Sequence, residues 1–74
     1  MAYGQGLSGM PKIYALGCDR GEAASCYKLG MLFENGSMGV KRDKSIAKQL
    51  YAQACNMGYR DGCKQYRFLN SRGY

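Results

Sequence analysis

Two sets of residues in this 74-residue chain have types and spacing that could do chemistry. The first is four cysteines, Cys18, Cys26, Cys55 and Cys63, in two pairs with seven residues inside each pair. Thiols crosslink, bind metal or run redox catalysis. Four-cysteine zinc sites pair their ligands two to four residues apart, so this spacing is wrong for zinc. Redox catalysis needs Cys-x-x-Cys or a lone activated thiol, and neither is present. The second set is Ser45-Ile46-Ala47-Lys48, which spells the Ser-x-x-Lys nucleophile motif of penicillin-recognising enzymes. Its companion Ser-Asp-Asn and Lys-Thr-Gly motifs are missing, and Ser45 falls where a first helical turn favours Ser for local reasons. Asp19 and Glu22 flank a turn, where capping is a simpler role than acid–base work. His, Trp and Thr are absent, which removes imidazole catalysis, the Ser–His–Asp triad and His metal ligands. The expectation is therefore a non-enzyme with no catalytic residue, metal or cofactor.

The elements that hold these residues must be built with few aliphatics. Leu, Ile, Val and Phe number 11 of 74 residues, below the roughly 20% at which a charged chain defaults to disorder. Ala, Tyr, Met and Cys raise the hydrophobic share to 46%. The net charge of +6 is lopsided. Residues 1–37 sum to zero, and residues 38–74 carry all of it, with Lys41, Arg42, Lys44, Lys48, Arg60, Lys64, Arg67 and Arg72 against Asp43 and Asp61. A one-sided basic field attracts acidic proteins, nucleic acid or anionic membrane, although the same charge also serves solubility. No zinc finger, RNA-recognition or basic-zipper pattern supports nucleic acid. No apolar run is long enough to span a membrane.

The cysteine pairs reveal a repeat. Cys18 and Cys55 are 37 positions apart, as are Cys26 and Cys63. Aligning residues 12–37 with 49–74 gives identity at seven of 26 positions, at Tyr14/Tyr51, Ala15/Ala52, Cys18/Cys55, Gly21/Gly58, Cys26/Cys63, Leu32/Leu69 and Gly36/Gly73. A period of this length marks a helical repeat array. Apolar spacing predicts four helices: Pro11–Asp19 with Ile13, Tyr14, Gly17 and Cys18 inward; Ala23–Glu34 with Cys26, Leu29, Gly30 and Phe33 inward; Lys44–Met57, N-capped by Asp43 and ended by Gly58; and Arg60–Ser71 with Cys63, Tyr66 and either Leu69 or Arg67 inward. Residues 1–9 read as a flexible tail and 10–74 as one α/α repeat domain, a short all-α solenoid of antiparallel helices. Gly17 and Gly30 sit inside helices, at about 1 kcal/mol each relative to Ala, which points to close approach between helices. Tyr14 and Tyr51 occupy equivalent positions and are read as core residues rather than ligand contacts.

The run from Cys26 to Gly36, with Gly39-Val40, Asp43, Ala47, Tyr51, Ala54-Cys55 and Gly58, resembles the Sel1-like repeat, an α/α family related to tetratricopeptide repeats. The extra cysteines make it similar to the cysteine-rich bacterial branch, whose members are secreted or periplasmic. The end helices, left without neighbours in so short an array, point to a protein-binding role, and the resemblance implies, as an alternative, penicillin binding or weak β-lactamase activity. The final helix departs from the pattern, with Lys64-Gln65-Tyr66-Arg67 where Tyr-Lys-Leu-Gly is expected.

Each cysteine pair brackets a tight turn holding Gly21 or Gly58. Helices leaving such a turn antiparallel bring the two sulfurs together, which favours Cys18–Cys26 and Cys55–Cys63 among the three connectivities open to four cysteines. The resemblance implies the same pairing. A twin-cysteine hairpin of the mitochondrial intermembrane space type matches less well, since it uses nine or three intervening residues. Paired cysteines suggest an oxidising compartment, periplasmic or secreted, although no export signal is evident. The function expected is a small adaptor or inhibitor that binds an acidic protein through Lys41, Arg42, Arg60, Lys64, Arg67 and Arg72. Exposed end helices could also support self-association, and nucleic-acid binding by the basic half ranks last.

Overall fold

In the computed structural model, residues 6–74 are described. The first five residues of the expected tail lie outside them. Four helices follow in order: α1 (Met10–Asp19), α2 (Ala23–Asn35), α3 (Lys44–Asn56) and α4 (Arg60–Ser71). All four agree with the sequence expectation to within one residue at each end. No strand occurs among the described residues. Consecutive helices pack in pairs, α1 on α2, α2 on α3 and α3 on α4.

The same turn is built twice. After α1, Gly21 takes φ 92°, and after α3, Gly58 takes φ 93°. This left-handed conformation is costly for any residue with a Cβ. In each turn the next backbone N–H reaches back 2.9 Å to a helix carbonyl, Glu22 to Gly17 and Tyr59 to Ala54. These are equivalent atoms 37 residues apart. Across each turn a disulfide closes the hairpin, Cys18–Cys26 and Cys55–Cys63, with Cα–Cα distances of 4.6 Å. The expected pairing is the observed one, and no cysteine is free.

The connection between the hairpins is longer and carries no crosslink. Gly36 ends α2 in the left-handed region at φ 68°, and its N–H bonds to the Leu32 carbonyl at 2.7 Å. The chain then folds back, so that the Asp43 N–H bonds to the Phe33 carbonyl at 2.8 Å. Val40, within this loop, is buried. Asp43 caps α3 as expected, its carboxylate accepting from the Ile46 N–H at 3.1 Å.

The core consists of Leu29, Leu50, Tyr51, Leu69, Ala47, Ala54 and Cys26, all without exposed area, with Ala15, Cys18, Phe33 and Val40 at its margins. The face predicted for α2 is the face that is buried. Two predictions need correction. Ile13 is 57% exposed, and Ala15 is buried instead. Ile13 stands at the repeat position of Leu50, but Leu50 lies on a helix packed between two others and is fully buried, whereas no helix precedes α1 among the described residues. On α4, Leu69 and Gly62 are buried while Arg67 is exposed.

Small residues let the helices approach. A Cβ on Gly30 would lie 2.8 Å from Cε1 of Tyr51, and one on Gly62 would lie 2.9 Å from both the Ala54 Cβ and the Tyr51 carbonyl oxygen. A Cβ on Gly17 would meet the Ser25 hydroxyl and the Glu22 carboxylate, which can turn aside, and the Ser25 Cβ at 2.9 Å, which cannot. With three buried leucines at about 2 kcal/mol each, a nine-residue disulfide loop at about 2.5 kcal/mol matters as much as one of them.

Reduction should therefore lower the midpoint of thermal unfolding sharply, and the native oxidised protein should show no thiol titratable by an aromatic disulfide reagent. Gly62→Ala should destabilise by about 1–3 kcal/mol, because its neighbours include backbone that cannot yield. Gly17→Ala should destabilise less, because two of its three close neighbours are side-chain ends that can turn aside and Ala favours the helix. Circular-dichroism melts of the oxidised variants test this ranking, and a rise for Gly62→Ala would show that α3 and α4 do not pack closely.

Candidate functional site

The basic residues divide between two places. On α4, Arg60, Lys64 and Arg67 are exposed at i, i+4 and i+7, so they line one stripe opposite the buried Gly62 and Leu69. None of the three has an acidic partner among the described residues. Beside the stripe stands Phe68, 45% exposed. Just past the helix, the Arg72 guanidinium carbon lies 4.5 Å from the Phe68 ring centroid. Stacking of this kind orients a guanidinium while leaving its N–H groups available. Lys41 and Arg42 are exposed in the loop joining α2 to α3. The structure thus brings Arg60, Lys64 and Arg67 into one row, sets Arg72 at its end, and leaves Lys41 and Arg42 in a separate loop. Sequence reasoning missed Phe68, although its i, i+4 spacing to Arg72 was a signal for the stacked pair.

Lys44 and Lys48 are spent within the fold. Lys44 Nζ lies 5.4 Å from the Tyr74 ring centroid. Lys48 Nζ bonds to Asn70 Oδ1 at 3.4 Å and to the Tyr74 carbonyl, and stands 5.9 Å from the Tyr66 ring centroid. It reaches across α4, while Ser45 lies exposed in the first turn of α3.

A second cluster joins the hairpins. The Tyr51 hydroxyl donates to Glu34 Oε1 at 2.5 Å, and its ring centroid is 5.4 Å from that of Tyr27, which in turn is 5.1 Å from Tyr59. Burial first, and then the Glu34 carboxylate, push the Tyr51 phenol well above its ordinary ionisation range. Tyr27 is raised too, by burial and by the nearby Asp61 charge. The core role expected for Tyr51 holds, since it has no exposed area, whereas Tyr14 is half-buried with Lys28 Nζ 5.7 Å from its ring centroid. Gln53 packs on the first bridge, its Oε1 3.3 Å from Cys18 Sγ. Neither sulfur of that bridge carries a proton, so this is a packing contact between α3 and the first hairpin.

No cavity forms among the described residues. No helix among them is long and apolar enough to cross a membrane. What the chain presents is surface: two hairpins and a row of cations. Residues 23–59, half of the chain, match the Sel1 repeat. The chain belongs to the Sel1 repeat family. The matched unit runs from the start of α2 through the loop and α3 to the turn before α4, so it takes one helix from each hairpin. Sel1 repeats serve protein–protein interaction, and this chain is built as a module of that kind. Among known proteins it is similar to cytochrome c oxidase assembly factor 7 of Xenopus tropicalis, 34% identical over 50 residues. That alignment covers 68% of this chain and 22% of the relative. No solved structure matches the chain.

Tyr51 makes the joint pH-sensitive with a definite sign. Its folded phenol ionises above the ordinary value of 10.0, so its contribution is complete below that pH and is lost as pH rises beyond it, where the unfolded chain releases the proton first. Urea unfolding at pH 8 and pH 11 should show a smaller loss of stability in Tyr51→Phe than in the parent. At pH 8 the same variant should be less stable by about 1 kcal/mol through the lost hydrogen bond.

Proposed function

We propose that the chain is a non-enzymatic protein-interaction module, a small adaptor or inhibitor, whose basic C-terminal half engages an acidic partner protein. The observation that carries this reading is the row of Arg60, Lys64 and Arg67, exposed and unneutralised on a rigid helix. Cations evenly spaced on a helix present a fixed pattern of charge, and such patterns govern the rate and specificity of association. Phe68 beside the row offers an apolar contact of the type that anchors interfaces, with Arg72 already oriented over it. The Sel1 repeat supports the interaction role. The name of the Xenopus relative, an assembly factor, is compatible with it. Two disulfides support work in an oxidising compartment.

Affinity capture from the native source should retain acidic proteins on the oxidised chain, and the triple reversal Arg60→Glu, Lys64→Glu, Arg67→Glu should lose them. All three sites are exposed, so the reversed chain should melt within a few degrees of the parent. For the purified partner the reversal should weaken binding by at least about tenfold. Retention of the same proteins by the reversed chain would show that the charge serves only solubility. A steep fall in affinity with salt, together with capture of oligonucleotides, would point to nucleic acid instead.

A further inference from the structure

The repeat itself says what the basic row on α4 replaces. Shifted by 37 residues, α4 falls on α2, so that Arg60, Lys64, Arg67 and Ser71 stand where Ala23, Tyr27, Gly30 and Glu34 stand on α2. On α2 that face is where the next helix docks. Three of its residues hold one side chain of α3: the Tyr27 ring lies 5.4 Å from the Tyr51 ring, Gly30 leaves the space that Tyr51 fills, and Glu34 accepts the Tyr51 hydroxyl. On α4 the same face is exposed, and its chemistry is changed from Tyr, Gly and Glu to Lys, Arg and Ser.

We propose that the outer face of α4 is a helix-docking site whose occupant is an amphipathic helix of the partner protein, carrying Asp or Glu at i, i+4 and i+7. This rests on the acidic-partner reading and specifies the element that is recognised and the surface that recognises it. The geometry is that of the neighbouring pair, since α2 and α4 occupy equivalent positions in successive hairpins. The charge is set by Arg60, Lys64 and Arg67, which share the spacing of one helical face and so match acidic residues on one face of another. Arg67 keeps the occupant further out than Gly30 keeps α3, which leaves room for carboxylate side chains between the two helices. Phe68, flanking the row, takes an apolar residue beside the acidic ones.

A second copy of this chain does not fit. The helix of a second copy equivalent to α3 is α1, which would bring Tyr14 onto Arg67 where the fold sets Tyr51 on Gly30. The outer surface of α1 offers Ile13 and Leu16, with Lys12 and Asp19 cancelling, and so presents no acidic row.

The test titrates the full oxidised chain, by fluorescence anisotropy at low and physiological salt, with four probes. These are a stapled helical peptide with Glu at i, i+4 and i+7 and Leu beside them, a peptide of the same composition broken by a central proline, a neutral helical peptide, and a single-stranded oligonucleotide. The intact acidic helix should bind about tenfold more tightly than the broken one. That preference should vanish in Lys64→Glu/Arg67→Glu and survive in Lys41→Glu/Arg42→Glu. Equal binding of the two acidic peptides would overturn helix docking while leaving the acidic-partner reading standing, as would loss of binding in the loop variant alone. Binding no tighter than the neutral helix, or tighter binding of the oligonucleotide, would overturn both. Concentration-dependent self-association in sedimentation that Arg67→Glu abolishes would assign the face to a second copy and overturn the proposal.

Discussion

The seat of Tyr51 on Gly30 holds the two hairpins in register. A single absent methyl group decides it, because a Cβ on Gly30 would come within 2.8 Å of the tyrosine ring. The ring drops into that space, packs at a tilt against Tyr27, and places its hydroxyl 2.5 Å from Glu34. A buried phenol without a partner would cost more than it gains. Glu34 removes that penalty and remains half-buried at the margin, where water still reaches its charge. Leu50, on the same helix, is also fully buried. Everything outward of this joint takes its direction from it, including the line along which α4 lies and the side on which its cations face.

The two ends of the molecule differ because the repeat is continued differently at each. At the α1 end, Ile13 keeps the apolar character of its counterpart Leu50 and is exposed. At the α4 end the counterpart residues have changed type, so Gly30 becomes Arg67 and Tyr27 becomes Lys64. Phe33 likewise becomes Asn70, whose amide accepts a hydrogen bond from Lys48 within the fold. The first end has kept the surface of an inner repeat, while the second has acquired a surface of its own.

Much of this was legible in the residues. Seven-residue cysteine spacing around a glycine, recurring after 37 positions, led directly to the turns and bridges, since little else brings such pairs together. The buried face of α2 followed from the 3.6-residue period, as its apolar residues are all on one side. Ile13 was misjudged because the period reports which face is apolar and not whether a neighbour covers it. Leu69 and Arg67 could not be separated by pattern, for the repeat placed a leucine at one and a glycine at the other. The Glu34–Tyr51 bond and the close approach at Gly62 depend on the angle between helices, which no local spacing encodes. The row on α4 was visible as charge, but its division from Lys41 and Arg42 required the fold.

The placement of the two bridges also shapes how the molecule comes apart. Each covalent link spans a turn within a hairpin, and none spans the seam between α2 and α3. Helices within a hairpin cannot drift far from one another even when their packing fails, whereas the seam is held by packing and by the loop. The opening that strains neither bridge is a parting of two intact clips, with the loop from Ser37 to Asp43 as the strap between them. The Asp43 amide, bonded to the Phe33 carbonyl at the root of that strap, would exchange through such an opening before the helices themselves unwind.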